Sequence, residues 1–238
     1  MKLRLCLALC LLGEASLAST PWVIGEALDA ETGELLYTEH HHRPTDERTE
    51  FLIEYRGPSG EVWAEKYLGP DLQTSTPSFT LNDLRLGEYT RVQTDSEHAR
   101  VTYREDAEAR TEQGVVALAA NLVIDAGFDA FVRSHWTALA TDNQTLPVQF
   151  LVPARLKTYD FELQATPVDD SDTRLRKFVL EPAGFLLSMV VPPFRLTYAS
   201  DSRQLMRFEG LSNLTDPDTG KPYRVRIEYR VSGAPTGD

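Results

Sequence analysis

The stretch YRVRIEYRV, residues 223–231, carries the pattern that decides the fold class of this 238-residue chain. Apolar or aromatic side chains stand at every odd position of the stretch, and arginine or glutamate stands at every even one. Alternate residues of a β-strand point to opposite faces of its sheet. The stretch therefore predicts an antiparallel strand with one buried face and one face in water.

Other segments repeat this alternation and predict further strands. Phe51, Ile53 and Tyr55 alternate with polar neighbours, and the turn GPSG at 57–60 sends the chain back along residues 61–68 as a hairpin partner. Further strand-like runs cover residues 150–163, 178–191, 194–198 and 205–208. The loops DAETG at 29–33 and DPDTG at 216–220 begin with aspartate and end with glycine, which is typical of tight turns between strands.

One segment, residues 125–140, shows the periodicity of a helix. Asp125 is placed to cap its start, and the helix is expected to end before Pro147. An apolar stripe of this kind packs on a sheet. The side chains of the stripe recur at spacings of three and four and are Phe128, Phe131, Val132, His135, Trp136 and Leu139.

These elements predict an α+β protein that is mostly β. We expect a strongly bent antiparallel sheet, in the form of a half-barrel or β-roll, with one main helix packed on its concave face. The polar stretches at 105–113 and 169–172 are too short to separate domains. Residues 19–238 are therefore predicted to form a single β-rich domain.

The N-terminus has the parts of a secretory signal peptide. Lys2 and Arg4 precede an apolar run at residues 5–12, and small side chains at Ser16 and Ala18 match a cleavage site after Ala18. The apolar run is shorter than the roughly 20 residues that span a bilayer. We expect residues 1–18 to be removed and the protein to act in the periplasm or outside the cell.

Composition excludes several classes of function. The only cysteines, Cys6 and Cys10, lie within the predicted signal, so no disulfide, thiol nucleophile or cysteine-ligated cofactor is expected after cleavage. The formal net charge of −12 disfavours binding to nucleic acid or to an anionic membrane surface. No cofactor is predicted, and the protein is not expected to be integral to a membrane after cleavage.

The sequence favours a protein that is not an enzyme. It has no nucleophile elbow, phosphate-binding loop or dinucleotide fingerprint. The candidate metal ligands are His40 and His42, which share one face of a strand while His41 points to the other. A catalytic zinc site needs a third protein ligand, which the sequence does not identify. The alternative is that these histidines are ordinary surface residues.

Three functional hypotheses remain open at this stage. The leading one is a non-enzymatic binder or carrier of a hydrophobic or lipid ligand, because the apolar helix lies beside long amphipathic strands. Its candidate cleft residues are the six of the helix stripe together with Leu187 and Met189. The alternatives are a structural or accessory cell-envelope protein that contacts another protein, and a metal-dependent enzyme centred on His40 and His42.

Three stretches carry a resemblance to other proteins: DAGFDAFVR at 125–133, FLVPARL at 150–156 and FEGLSNL at 208–214. They resemble an uncharacterised group of exported proteobacterial β-rich proteins over most of residues 22–231, and this resemblance implies export but no activity. At the level of architecture, many antiparallel strands around one helix are similar to the half-barrels of periplasmic lipoprotein carriers. That likeness implies an acyl-chain site between sheet and helix.

Overall fold

The computed structural model describes residues 20–139, 144–166 and 173–232. The predicted signal peptide, the polar break at 169–172 and the last residue of the predicted helix lie outside these ranges. Strands account for 53% of the described residues. The expectation of a mostly β fold is therefore confirmed.

Fifteen strands and a few short helical segments make up the described fold. The strands are β1 Val23–Asp29, β2 Leu35–His42, β3 Phe51–Arg56, β4 Val62–Leu68, β5 Phe79–Asp83, β6 Tyr89–Thr94, β7 His98–Arg104, β8 Glu112–Ala117, β9 Leu122–Val123, β10 Thr145–Val152, β11 Lys157–Ala165, β12 Leu175–Pro182, β13 Phe194–Ala199, β14 Leu205–Asp216 and β15 Lys221–Val231. The helices are α1 Gly127–Ser134, α2 Trp136–Leu139 and α3 Phe185–Ser188, and a 3₁₀ turn covers Pro153–Arg155.

All fifteen strands belong to one sheet that is not closed into a barrel. The order across the sheet runs from β8 down to β1, continues with β15 and then runs down to β9. Neighbouring strands are antiparallel, except that β9 is parallel to β10. The first and last strands pair in the middle of the sheet, with Val23 opposite Val231. The antiparallel sheet that the alternating pattern predicts is confirmed.

The structure contains the strand predicted at 223–231 and the turn predicted at 29–33. The stretch 223–231 lies within β15, where Val225 and Ile227 are buried. In the turn at 29–33, the Asp29 carboxylate accepts a hydrogen bond from the backbone N–H of Thr32 at 2.8 Å, and Gly33 has a positive φ of 75°. A positive φ is easily adopted only by glycine, so the aspartate and the glycine together define this turn.

The predicted helix at 125–140 is shorter than expected and interrupted. Asp125 does not cap it; this residue has a φ of 46°, and its carboxylate accepts hydrogen bonds from Lys66. Helix α1 begins at Gly127, where a β-carbon would lie 2.2 Å from the carbonyl oxygen of Ser75. It ends at Ser134, and His135 separates it from α2. The close approach of the connection between β4 and β5 therefore requires a glycine where the helix begins.

Two strand-like runs are also divided by local backbone geometry. The run 150–163 is split by the 3₁₀ turn that begins at Pro153, because proline has no N–H to donate to a ladder and Leu156 has a left-handed φ of 54°. The run 178–191 is extended only as far as Pro182. Gly184 then adopts a φ of 104° and the chain forms α3, so the prediction of one continuous strand was wrong there.

The buried apolar side chains form two clusters. The first core joins residues of β1–β7 and β15 with side chains from the chain segments around β9, β10 and β14. The second core joins β10–β13 with α1 and α2. Ile227 of the first core is paired with Phe208, and Phe208 is paired with Leu196 of the second core. Because directly paired residues share a face, the two cores share a face of the sheet across β13–β15. On β9, in contrast, the adjacent residues Leu122 and Val123 point to opposite faces and belong to the first and the second core respectively.

Candidate binding site

The helical stripe that was predicted to line a cleft packs directly on the sheet. Phe131, Val132 and Leu139 are buried within the second core. Trp136 is partly buried, and its ring contacts Phe178 and Tyr198 edge-on at centroid distances of 5.3 and 5.7 Å. These side chains occupy the space between helices and sheet that an acyl chain would need.

The remaining predicted cleft residues differ in whether they pack against the second core. Phe128 and Leu187 are partly buried and pack against the second core. His135 stacks on Phe131 with ring centroids 4.2 Å apart. Met189, in contrast, is 67% exposed and lies outside the cluster. The structure thus brings together the helical residues and Leu187, but not Met189.

A cavity of about 310 Å³ opens beside the end of α1. It includes two of the predicted cleft residues, Phe131 and His135. The other lining residues come from the turn before β9 and from the start of β10. The described side chains that line it are Ala120, Asn121, Phe131, His135, Leu146 and Pro147.

The cavity has apolar walls and two groups that form hydrogen bonds. The Nδ1–H of His135 donates to the carbonyl oxygen of Phe131 at 2.9 Å, an assignment that follows because a carbonyl only accepts. In the neutral ring the Nε2 atom is then an acceptor, and it has no hydrogen-bond partner among the described residues. The Asn121 side-chain amide makes only a long contact of 3.4 Å, to the carbonyl oxygen of Pro147. A ligand with an apolar body and one hydrogen-bond donor fits this arrangement.

Sequence reasoning missed Ala120, Asn121, Leu146 and Pro147. They are brought together by the parallel pairing of β9 with β10, in which Leu122 lies opposite Gln149. Asn121 also takes part through its carbonyl oxygen, which accepts a hydrogen bond from the Gln149 N–H at 2.9 Å. A two-residue strand has no alternation that a sequence pattern can reveal. The cavity therefore depends on a long-range pairing without a local signal.

The candidate metal ligands His40 and His42 lie on β2, and each bonds to a neighbouring side chain. His40 Nε2 lies 3.0 Å from the Thr38 hydroxyl, and His42 Nε2 lies 3.2 Å from the Glu54 carboxylate. Burial, followed by the positive charge of Arg56, lowers the pKa of His40. Within residues 20–139, 144–166 and 173–232, no group of three or more His, Cys, Asp or Glu side chains is arranged to hold a metal ion.

A buried ion pair in the first core was not expected from the sequence. The Lys66 side chain is 2% exposed, and its Nζ donates to the two carboxylate oxygens of Asp125 at 2.8 and 3.0 Å. Burial acts to lower the pKa of Lys66, but the Asp125 carboxylate outweighs it and the pKa is raised. Lys66 is therefore a charged ammonium at neutral pH. An ammonium that is fully paired and enclosed has a structural role.

Other polar groups lie on the same inner face of the sheet. The buried Glu39 carboxylate accepts hydrogen bonds from the Tyr229 hydroxyl at 3.2 Å and from His41 Nε2 at 3.1 Å. Tyr37 and Ser212 share a buried hydroxyl–hydroxyl hydrogen bond of 2.7 Å. These groups satisfy one another, as buried polar groups in proteins generally do. They therefore stabilise the first core rather than line a site.

Comparison with known proteins assigns the chain to no family. No protein-family model matches it, and no curated protein or solved structure matches it. In the part of the chain that the structure describes, no helix is long and apolar enough to cross a membrane. The resemblance to exported proteobacterial proteins and to lipoprotein carriers stays a prediction.

Proposed function

We propose that this chain is an exported, non-enzymatic binding protein for a small hydrophobic or lipid-like ligand. It would act in the periplasm or outside the cell after removal of residues 1–18. The observation that carries the proposal is the cavity of about 310 Å³ with mostly apolar lining beside α1. Ligand sites in proteins typically have volumes of about 300–1,000 Å³ and a few polar groups that fix orientation. In this proposal α1 and α2 lie on the concave side of a half-barrel.

The size of the cavity limits the ligand. The cavity is open to solvent, and its volume of about 310 Å³ is at the lower end of the range for ligand sites, which disfavours a long acyl chain. The buried side chains of Phe131, Val132 and Leu139 already fill the interface through which a longer chain would extend. We therefore assign the site to a compact molecule, such as a small aromatic alcohol, rather than to a lipoprotein acyl group.

The lining supports binding in preference to catalysis. His135 is the one titratable side chain among the described residues that line the cavity. General acid–base catalysis usually combines a base with a second group that orients it or transfers a proton. A single imidazole with its Nδ1 hydrogen bonded to the Phe131 carbonyl is suited to accept a hydrogen bond from a ligand.

A fluorescence titration with 2-naphthol and with naphthalene tests the proposal. Both probes have an apolar body, but only 2-naphthol donates a hydrogen bond. We expect both to bind, and Ala120→Phe to weaken both at least tenfold because the new ring fills the cavity. His135→Ala should weaken 2-naphthol about fivefold relative to naphthalene, which corresponds to about 1 kcal/mol for one hydrogen bond.

The matched control is Val115→Phe, which adds the same ring at a site on β8 that is 62% exposed and is not among the described residues that line the cavity. This control should bind both probes as the unmodified protein does. Native mass spectrometry of the gently purified protein should in addition detect a retained small molecule. Absence of probe binding, or equal binding by Ala120→Phe and by the control, would overturn the proposal.

A second candidate function is that of an accessory cell-envelope protein that binds another protein through the edge of its sheet. The observation in its favour is that the sheet ends at β8, where Val115 is exposed. An edge strand presents backbone groups to which a partner strand can add. A photo-crosslinking residue at position 115 should capture a discrete partner in cells if this function applies, whereas one at position 201 should not.

A further inference from the structure

The connection between β12 and β13 has an unusual composition. Residues 182–194, with the sequence PAGFLLSMVVPPF, include no charged side chain over thirteen positions. This segment, which we call the apolar tip, contains α3. Contiguous exposed apolar surface marks sites where proteins contact one another or a membrane.

The apolar tip is anchored on one side and exposed on the other. Leu187 and Val191 pack against the second core. Phe185, Met189 and Val190 are 78%, 67% and 74% exposed. Phe185 and Met189 are four residues apart in sequence, so the helical turn places them on the same side. The packed side chains therefore hold the exposed ones in a fixed orientation.

Several polar groups of the tip bond to one another. The Ser188 hydroxyl donates to the Phe185 carbonyl oxygen at 2.8 Å. The N–H groups of Val190 and Val191 both donate to the Leu187 carbonyl oxygen, at 3.1 and 3.0 Å. Bonds of this kind lower the free-energy cost of placing a turn in a membrane interface, because hydrocarbon offers polar groups no partner. A protein partner, in contrast, usually forms about one hydrogen bond per 100–200 Å² of interface.

The charge of the protein limits the kind of membrane that the tip can contact. The chain has a formal net charge of −12, so an anionic membrane surface would repel it. The exposed residues that flank the tip in sequence, Glu181 and Arg195, have opposite charges. We infer that the apolar tip inserts Phe185, Met189 and Val190 into the interface of a zwitterionic lipid bilayer. This function is independent of the cavity beside α1.

The experiment places a local probe at the tip. The variant Phe185→Trp is mixed with phosphatidylcholine vesicles whose acyl chains contain bromine, which quenches tryptophan fluorescence on contact. After subtraction of the signal from the native tryptophans, we expect a blue shift and at least twofold quenching. The matched control Val115→Trp introduces the same ring at an exposed position on β8 and should show neither effect.

Affinity variants complete the test. In the Phe185→Trp background, Met189→Ser with Val190→Ser should reduce the vesicle-dependent signal at least tenfold at limiting lipid. Leu84→Ser with Val115→Ser removes two other exposed apolar side chains and should leave that signal unchanged. Ala120→Phe, which fills the cavity, should also leave it unchanged, so the two proposals can fail separately.

Three results would overturn the inference. The first is no blue shift with phosphatidylcholine vesicles, and the second is equal quenching at positions 185 and 115. The third is a blue shift that rises with protein concentration in the absence of lipid, because that result would assign the tip to contact with a second copy of the chain. Added anionic lipid should weaken binding at low salt, since the protein is acidic.

Discussion

The two cores of this protein differ in the polarity of the side chains that they bury. The first core encloses charged and polar groups, including Lys66, Glu39 and Tyr37, each with a bonding partner. The second core is built mainly from aliphatic and aromatic side chains, with Phe178, Tyr198 and Trp136 in edge-on contact. Across β13–β15 they cover the same face of one sheet.

The two cores also differ in how easily they can rearrange. A buried ion pair tolerates little rearrangement, because a displaced partner leaves an uncompensated charge. Apolar side chains are less directional and can repack at a lower free-energy cost. The cavity and the apolar tip both adjoin the second core. We therefore regard the first core as the fixed part of the fold and the second as the part beside which both proposed binding sites lie.

The largest expected effect comes from breaking the ion pair of the first core. Asp125→Ala leaves the Lys66 ammonium buried without its carboxylate. Loss of one partner of a buried pair typically lowers the free energy of unfolding by about 3–5 kcal/mol. Urea unfolding at pH 7 should show this loss. The double variant Lys66→Met with Asp125→Ala should recover most of it, because no buried charge remains.

The pH dependence of the Asp125→Ala variant sharpens this test. Without the carboxylate, burial should lower the pKa of Lys66 below that of the unfolded chain, which is about 10.4. The unfolded state then binds more protons, so stability rises with pH up to about that value. The difference from the unmodified protein should shrink between pH 7 and pH 10. A constant difference over that range would contradict a charged Lys66.

A cavity-forming substitution probes the second core by a different mechanism. Leu163→Ala removes a fully buried side chain from that core and should lower the free energy of unfolding by about 3 kcal/mol. This substitution leaves no buried charge without its partner. The loss of unfolding free energy should therefore be the same at pH 7 and pH 10. If the loss for Leu163→Ala depended on pH between 7 and 10, the pH dependence expected for Asp125→Ala would not be specific to the first core.

Two tyrosines provide a matched comparison between the cores at a smaller scale. The Tyr37 hydroxyl bonds to Ser212, so Tyr37→Phe should cost about 1 kcal/mol. The buried Tyr198 hydroxyl makes no hydrogen bond of normal geometry in the described part of the chain, although it lies close to the Asp129 carboxylate; burial and this carboxylate together raise the pKa of Tyr198. Tyr198→Phe should therefore lower the free energy of unfolding by less than Tyr37→Phe does. Equal losses in urea unfolding would remove this distinction.

The smallest effect is expected on the opposite face of the sheet. Burial and then the charge of Arg56 lower the pKa of His40 in the folded protein, so as the pH falls below about 6.5 the unfolded state binds a proton first. Stability should decline through that range. His40→Gln should reduce the slope of unfolding free energy against pH between 7 and 5. An unchanged slope would show that this ring does not contribute.

Patterns confined to one segment predicted the strands well. The alternation at 223–231 and the hairpin around 57–60 depend on residues that are neighbours in sequence, and both are confirmed in β15 and in β3–β4. The features that failed depend on distant partners. The start of α1 is set by contact of Gly127 with Ser75, and the polar side chain of Asp125 is engaged by Lys66 rather than by the helix.

The candidate site was predictable only in part for the same reason. Helical periodicity identified Phe131 and His135, but Leu146 and Pro147 join them through the pairing of β10 with β9. Lys66 did give a local signal that was overlooked: it alternates with the buried residues Ala64 and Leu68, which places a lysine on the inner face. Its partner Asp125 is 59 residues away in sequence, and a local periodicity cannot identify a partner at that separation.

The pairing of β1 with β15 has a consequence for how the chain acquires its structure. Val23 and Val231 lie at opposite ends of the described sequence, yet they are opposite each other in the centre of the sheet. Such non-local pairing gives a high contact order, which slows folding. The two halves of the meander cannot join until the last strand has left the ribosome.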